Sequence, residues 1–97
     1  MYFIIHCLDH ADALPRRLES YDAHRAYLDA AAVQCVVCGP LMSEDGEQMI
    51  GSLFLVRAQD KQQVVDFNRG DPFHQAGVWQ HVHIHPFVMR VDNRDPA

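Results

Sequence analysis

The sequence predicts an α+β sandwich of order βαββαβ, and three observations carry that prediction. Four runs rich in β-branched and aromatic residues alternate with two helix-patterned stretches. The connections are short and carry turn or cap residues: Gly39-Pro40, Asp60 and Asp71-Pro72. A chain of 97 residues holds one domain, taken as residues 1–97. Such an order with short connections gives a ferredoxin-like topology. Its sheet is antiparallel, its last strand lies beside its first, and its helices cover one face.

Each element follows from local signals. Tyr2 to Leu8 reads as the first strand. Ala11 to Leu18 reads as a turn or short helix, because Pro15 fits only a first helical turn. Ser20 is then the N-cap of a helix from Tyr21 to Ala32, with His24, Tyr27, Leu28 and Ala31 on its inward stripe. Gln34 to Cys38 is the second strand, stopped by Gly39-Pro40. Ser43 to Gln48 is an acidic connection, and Gly51 to Ala58 the third strand. Asp60 caps a helix from Lys61 to Asn68 that buries Val64, Val65 and Phe67. Asp71 caps a short turn with Pro72 at its first position, where a missing N–H is harmless. Trp79 to Val91 is the last strand, longer than the others, and Asn93 to Ala97 a polar tail.

Composition narrows the partners. The net charge of −5 and the lack of any Lys/Arg block argue against nucleic acid and against an anionic membrane surface. No apolar run approaches the roughly 20 residues of a membrane span. The start lacks the basic residues and long apolar core of a signal peptide, so the expected location is the cytoplasm. Three cysteines, an odd count, suit a reducing compartment. On the first strand Phe3, Ile5 and Cys7 share one face, and Tyr2, Ile4, His6 and Leu8 the other. Both faces being apolar, the one without helices needs cover, and a second copy of the chain is the simplest supply: a homodimer or a larger assembly.

At this point the residues resemble the YciI-like (YCII-related) family of small bacterial proteins. The shared pieces run in order along almost the whole chain: Ala11-Asp12, Arg17-Leu18, Ala23-His24 with Leu28, Gly39-Pro40, Gly51-Ser52-Leu53, Asp71-Pro72-Phe73, Ala76-Gly77-Val78, His81-Val82 and Pro86-Phe87. The resemblance implies a dimeric α+β barrel and a His/Asp site, carried over to His24 and Asp71. It also implies small-molecule chemistry of the lyase, isomerase or dehydrochlorinase kind. Where many members carry an arginine three residues before the histidine, this chain has Tyr21, leaving Arg17 or Arg25 to supply a cation for an anionic substrate.

The candidate catalytic pair is therefore His24 with Asp71. An imidazole beside a carboxylate is the smallest set that fixes one tautomer and moves a proton. The plain alternative is a core-edge histidine and a helix cap. Arg17, Tyr21, Tyr27 and Phe73 are the candidate substrate-binding residues, with core packing as the alternative for the aromatics.

His81, His83 and His85 alternate onto one strand face, with neighbours about 6.6–7 Å apart at Cα, and His6 on the adjacent strand can face the same way. A polar stripe is the alternative to a metal site, and no metal is assigned. Cys35-Val36-Val37-Cys38 spells C-x-x-C, but a regular strand would hold the two thiols on opposite faces, roughly 10 Å apart at Cα. That is too far for a disulfide. No phosphate loop and no G-x-S-x-G motif occurs, and no organic cofactor is expected. The expected function is a cofactor-independent enzyme acting on a small organic molecule, with a non-catalytic metabolite-binding homodimer as the alternative.

Overall fold

The computed structural model describes residues 1–95. The elements are β1 (Tyr2–Asp9), α1 (Leu14–Asp29), β2 (Gln34–Met42), β3 (Met49–Arg57), α2 (Lys61–Gly70), α3 (Pro72–Gln75) and β4 (Trp79–Phe87). The sheet order is β2-β3-β1-β4, and every neighbouring pair is antiparallel. This is the predicted ferredoxin-like sheet, with β4 against β1. The core lies on the sheet face carrying Phe3, Ile5 and Cys7, closed by Val64 and Phe67 of α2 and by Phe73 and Val78. Asp60 caps α2 by accepting from the Gln63 N–H. Among the described residues no helix is long and apolar enough to cross a membrane.

Several boundaries differ from the sequence expectation, each for a local reason. Ser20 does not start a helix. A single helix runs from Leu14 to Asp29 with Pro15 in its first turn, and no glycine or proline interrupts it between Arg16 and Asp29. β2 does not stop at Gly39-Pro40 but continues to Met42. It is an edge strand, where alternate N–H groups point away from the ladder and proline is tolerated. β4 ends at Phe87 and matches β2 and β3 in length, because Tyr2 pairs with Phe87 and β1 offers nothing further. In α2 the inward positions are Val64, Phe67 and Asn68, at helical spacing, while Val65 is half-buried. Of the polar tail at residues 93–97, the last two lie outside the described residues.

The ladders carry three register shifts, at Val36, at Ile50 and at Gln80, and the first and last change which face nearby side chains take. Cys35 pairs with Val56 and Val37 with Leu55, so Val36 is an extra residue and β2 bulges there. The bulge turns Cys35 and Cys38 onto the same face, correcting the expectation that they point apart. At the far end Leu8 pairs with His81 but Asp9 with Trp79, so Gln80 is the extra residue. Strict alternation would put Trp79 beside the histidines. The bulge instead sends its ring into the core, edge-on to Phe54 and Phe73.

Candidate active site

The inward stripe of α1 is polar where a core helix would be apolar. Arg17 and His24 stand two turns apart and are only 3% and 8% exposed. They can be polar because α1 does not close fully on the sheet. A cleft of about 800 Å³ separates it from β2, with Ser52 and Phe54 of β3 and Phe73 of α3 also in its walls. Tyr21 lines the same cleft at 46% exposure and accepts a hydrogen bond from Arg25 Nη1.

His24 and Asp71 meet. The His24 Nδ1 to Asp71 Oδ1 distance is 2.8 Å, and the bond is buried. Asp71 sits where α2 ends and α3 begins, and the same Oδ1 accepts the Phe73 N–H at 2.9 Å. An oxygen already accepting a backbone donor holds His24 as a second donor, so Nδ1 carries a hydrogen and Nε2 is the nitrogen that bears the lone pair in the neutral imidazole. Nε2 makes no hydrogen bond among the described residues. The His24 ring stacks on Phe73 with centroids 3.9 Å apart and planes within 6°. Asp71 thus serves as cap and as orienter at once, and α3, four residues long, places both the carboxylate and the stacking ring.

Arg17 forms the second half of the site. Its Nε and Nη2 grip Asp9 at 2.9 and 3.0 Å. Nη2 also lies 2.9 Å from Gly51 O and 2.8 Å from Ser52 Oγ, so its two hydrogens are shared among three acceptors. The guanidinium lies 4.8 Å from the Phe73 ring centre, a cation–π contact. Trp79 Nε1 donates to Ser52 Oγ as well, at 3.3 Å. With both lone pairs engaged, the Ser52 hydroxyl has only its hydrogen left to give. Arg17 Nη1 makes no hydrogen bond among the described residues. Arg17 and Ser52 both line the cleft, so its floor offers hydrogen-bond donors suited to an oxyanion or carbonyl oxygen.

Of the residues singled out in the sequence, His24, Arg17, Tyr21 and Phe73 line this cleft, and Asp71 supports it from behind. Tyr27 does not line it. Its hydroxyl donates to Phe67 O and its ring stacks on Phe67, which makes it a tie between α1 and α2. Asp9, Ser52 and Phe54 were missed. Ser52 carried a signal, as the polar member of the run Gly51-Ser52-Leu53-Phe54-Leu55-Val56. Among the described residues no three His, Cys, Asp or Glu side chains converge to hold a metal ion. His81, His83 and His85 lie across from Leu8, His6 and Ile4 on the sheet face without helices. Burial pushes the Cys7 thiol up to about 12, and the Asp71 and Asp9 carboxylates add to the shift. Cys35 is raised to about 12 by burial and by Cys38, and Cys38 is raised by burial.

The YCII-related domain model matches residues 1–88. Protein YciI of Escherichia coli is 28% identical over 94 residues, covering 90% of this chain and 96% of YciI, and protein YciI of Shigella flexneri matches equally. Among solved structures, the 5-chloro-2-hydroxyhydroquinone dehydrochlorinase TftG of Burkholderia phenoliruptrix, in complex with 2,5-dihydroxybenzoquinone, superposes with a TM-score of 0.79. It is 30% identical, over 91% of this chain and 94% of that one.

Proposed function

Because the chain belongs to the YCII-related domain family, we propose that it is a cofactor-independent enzyme that eliminates a leaving group from, or isomerises, a small hydroxylated ring, with His24 as the acid/base. The observation that carries this reading is the pairing of two features in one cleft. His24 Nδ1 is tied to buried Asp71 while Nε2 stays free. Ser52 and Arg17 meanwhile present spare donors beside the same stacked ring. The likeness to a dehydrochlorinase with a quinone-type ligand points to the same substrate class.

In this mechanism the Ser52 hydroxyl and Arg17 Nη1 hold a phenolate or carbonyl oxygen of the ring, and Phe54 and Phe73 provide the apolar walls. Nε2 of His24 takes a proton as the leaving group departs. Asp71 stabilises the imidazolium that forms, without accepting the proton itself. For a chlorinated hydroxyquinol the balance is one proton to the imidazole and one chloride to water, so no external oxidant enters. Self-association through the open sheet face belongs to the same proposal, carried by the exposed Leu8 and Leu53 on it.

Chloride release from 5-chloro-2-hydroxyhydroquinone tests the reading. The expected result is saturable release above the buffer rate. Binding of 2,5-dihydroxybenzoquinone in the cleft, mapped by NMR shifts, without any chloride release would replace the enzyme by a metabolite-binding protein.

A further inference from the structure

The β2 bulge places two thiols where a regular strand would separate them. Cys35 and Cys38 stand opposite Val56 and Phe54, two steps apart on β3. Two strand steps span about 6.6–7 Å, against roughly 10 Å for three. Disulfides join Cα atoms at about 4.4–6.8 Å, so the pair lies at the edge of bonding geometry. β2 has no neighbour on its outer side, which leaves it free to contract by a few tenths of an ångström. Burial raises both thiols, and each is shifted further by the other's nearness. Both are free and both line the cleft that holds His24. Cys7, by contrast, is fully buried, on β1.

We propose that Cys35 and Cys38 form a reversible disulfide in the cleft wall, closed by a small-molecule disulfide of the glutathione class. The half-exposed Cys38 thiolate attacks glutathione disulfide, forming a mixed disulfide and releasing one glutathione thiolate. Cys35 then attacks the Cys38 sulfur and expels the second glutathione. Two protein S–H bonds become one S–S bond, two protons go to solvent or the leaving thiolates, and two electrons reduce the glutathione disulfide. Because both thiols hold their protons more firmly than a free cysteine, closure is slow at neutral pH and quickens as pH rises. A bond strained by the bulge is labile, as a regulatory disulfide is, and it removes two S–H groups from the wall facing His24.

The test is a thiol count and intact mass on the full chain titrated with glutathione disulfide at mildly alkaline pH. The expected product has lost two hydrogens and two thiols, keeps Cys7 reduced, carries no glutathione, and reverts with dithiothreitol. Cys35→Ser should trap a glutathione adduct on Cys38, and Cys38→Ser should prevent closure. A stable glutathione adduct on the unmodified sequence, or three thiols surviving prolonged exposure, would overturn the proposal. This readout involves no substrate, so it stands or falls apart from the proposed reaction. Its coupling to the cleft is read separately. The oxidised protein should bind 2,5-dihydroxybenzoquinone at least several-fold differently from the reduced one, and equal binding would confine the disulfide to a bystander.

Discussion

Replacing Asp71 by Asn deletes one charge and leaves the imidazole tautomer in place, for a reason visible in the geometry. In many His–Asp pairs an Asn can flip its amide and force the wrong imidazole tautomer. Here the acceptor at His24 Nδ1 is the same oxygen that caps the Phe73 N–H. A flipped amide would set its NH₂ against two donors, at about 1–3 kcal/mol for each buried donor left unsatisfied. The Asn carbonyl therefore stays at the Oδ1 position and the tautomer is preserved. What is lost is attraction between a carboxylate and the imidazolium of the proposed reaction. At an effective dielectric near 20 and about 4 Å this is on the order of 3–4 kcal/mol, or about 10²–10³-fold in turnover. Stability should fall by about 1–3 kcal/mol, because Asp71 Oδ2 is buried without a partner among the described residues and the NH₂ that replaces it is left unsatisfied. Asp71→Ala instead strands both donors and should cost about 2–6 kcal/mol. Thermal melts, chloride-release kinetics and ¹⁵N NMR of the His24 ring separate these effects. Finding a changed tautomer in the Asn variant, or an Asn variant as unstable as the Ala one, would refute the shared-oxygen reasoning.

Three further outcomes rest on the same geometry. Ser52→Ala removes the spare donor while Arg17 keeps Asp9 and Gly51, so 2,5-dihydroxybenzoquinone should bind about 10–100-fold more weakly by titration calorimetry, with a modest stability loss. Cys7 ionises near 9 when unfolded and near 12 when folded, so its contribution is complete below pH 9 and is lost as pH rises toward 12. Urea melts should show stability falling there by up to about 1.4 kcal/mol per pH unit, a slope that Cys7→Ala reduces. The open sheet face carries Ile4, Leu8, Leu53 and Leu55, with Leu8 and Leu53 each 36% exposed. Sedimentation should therefore find a dimer at micromolar concentration that Leu53→Glu weakens at least about tenfold; a monomer with that face open to water would count against it.

The element order and α2 were legible because periodicity and cap residues are local signals, whereas the start of α1 was not, since the helix begins at Leu14 and runs straight through Ser20. Asp60 and Asp71 cap as their Asp-x-x and Asp-Pro contexts suggest. The His24–Asp71 contact was legible at one remove, since a turn leaving α2 must pass the inward stripe of α1 in this topology. The bulges at Val36 and Gln80 were not legible. A bulge adds one residue to a strand without changing its composition, yet it decides which face every later side chain takes. That is why the C-x-x-C pair and Trp79 take faces that strict alternation does not give them. Tyr27 was misplaced for a related reason: the stripe is wide enough that His24 opens on the cleft while Tyr27, three residues on, reaches Phe67. Ser52 and Asp9 needed tertiary structure, because their meaning lies in Arg17 reaching from α1 to the ends of β1 and β3.

The most direct measurement compares chloride release by the unmodified chain and by His24→Gln at matched melting temperature. Gln keeps a polar group able to bond Asp71 but cannot take up a proton as imidazole does. His24→Gln is expected to remain folded, still bind 2,5-dihydroxybenzoquinone, and lose at least about 10²-fold in kcat. Equal kcat for the two proteins would contradict it, because His24 would then be packing and the proton would move elsewhere.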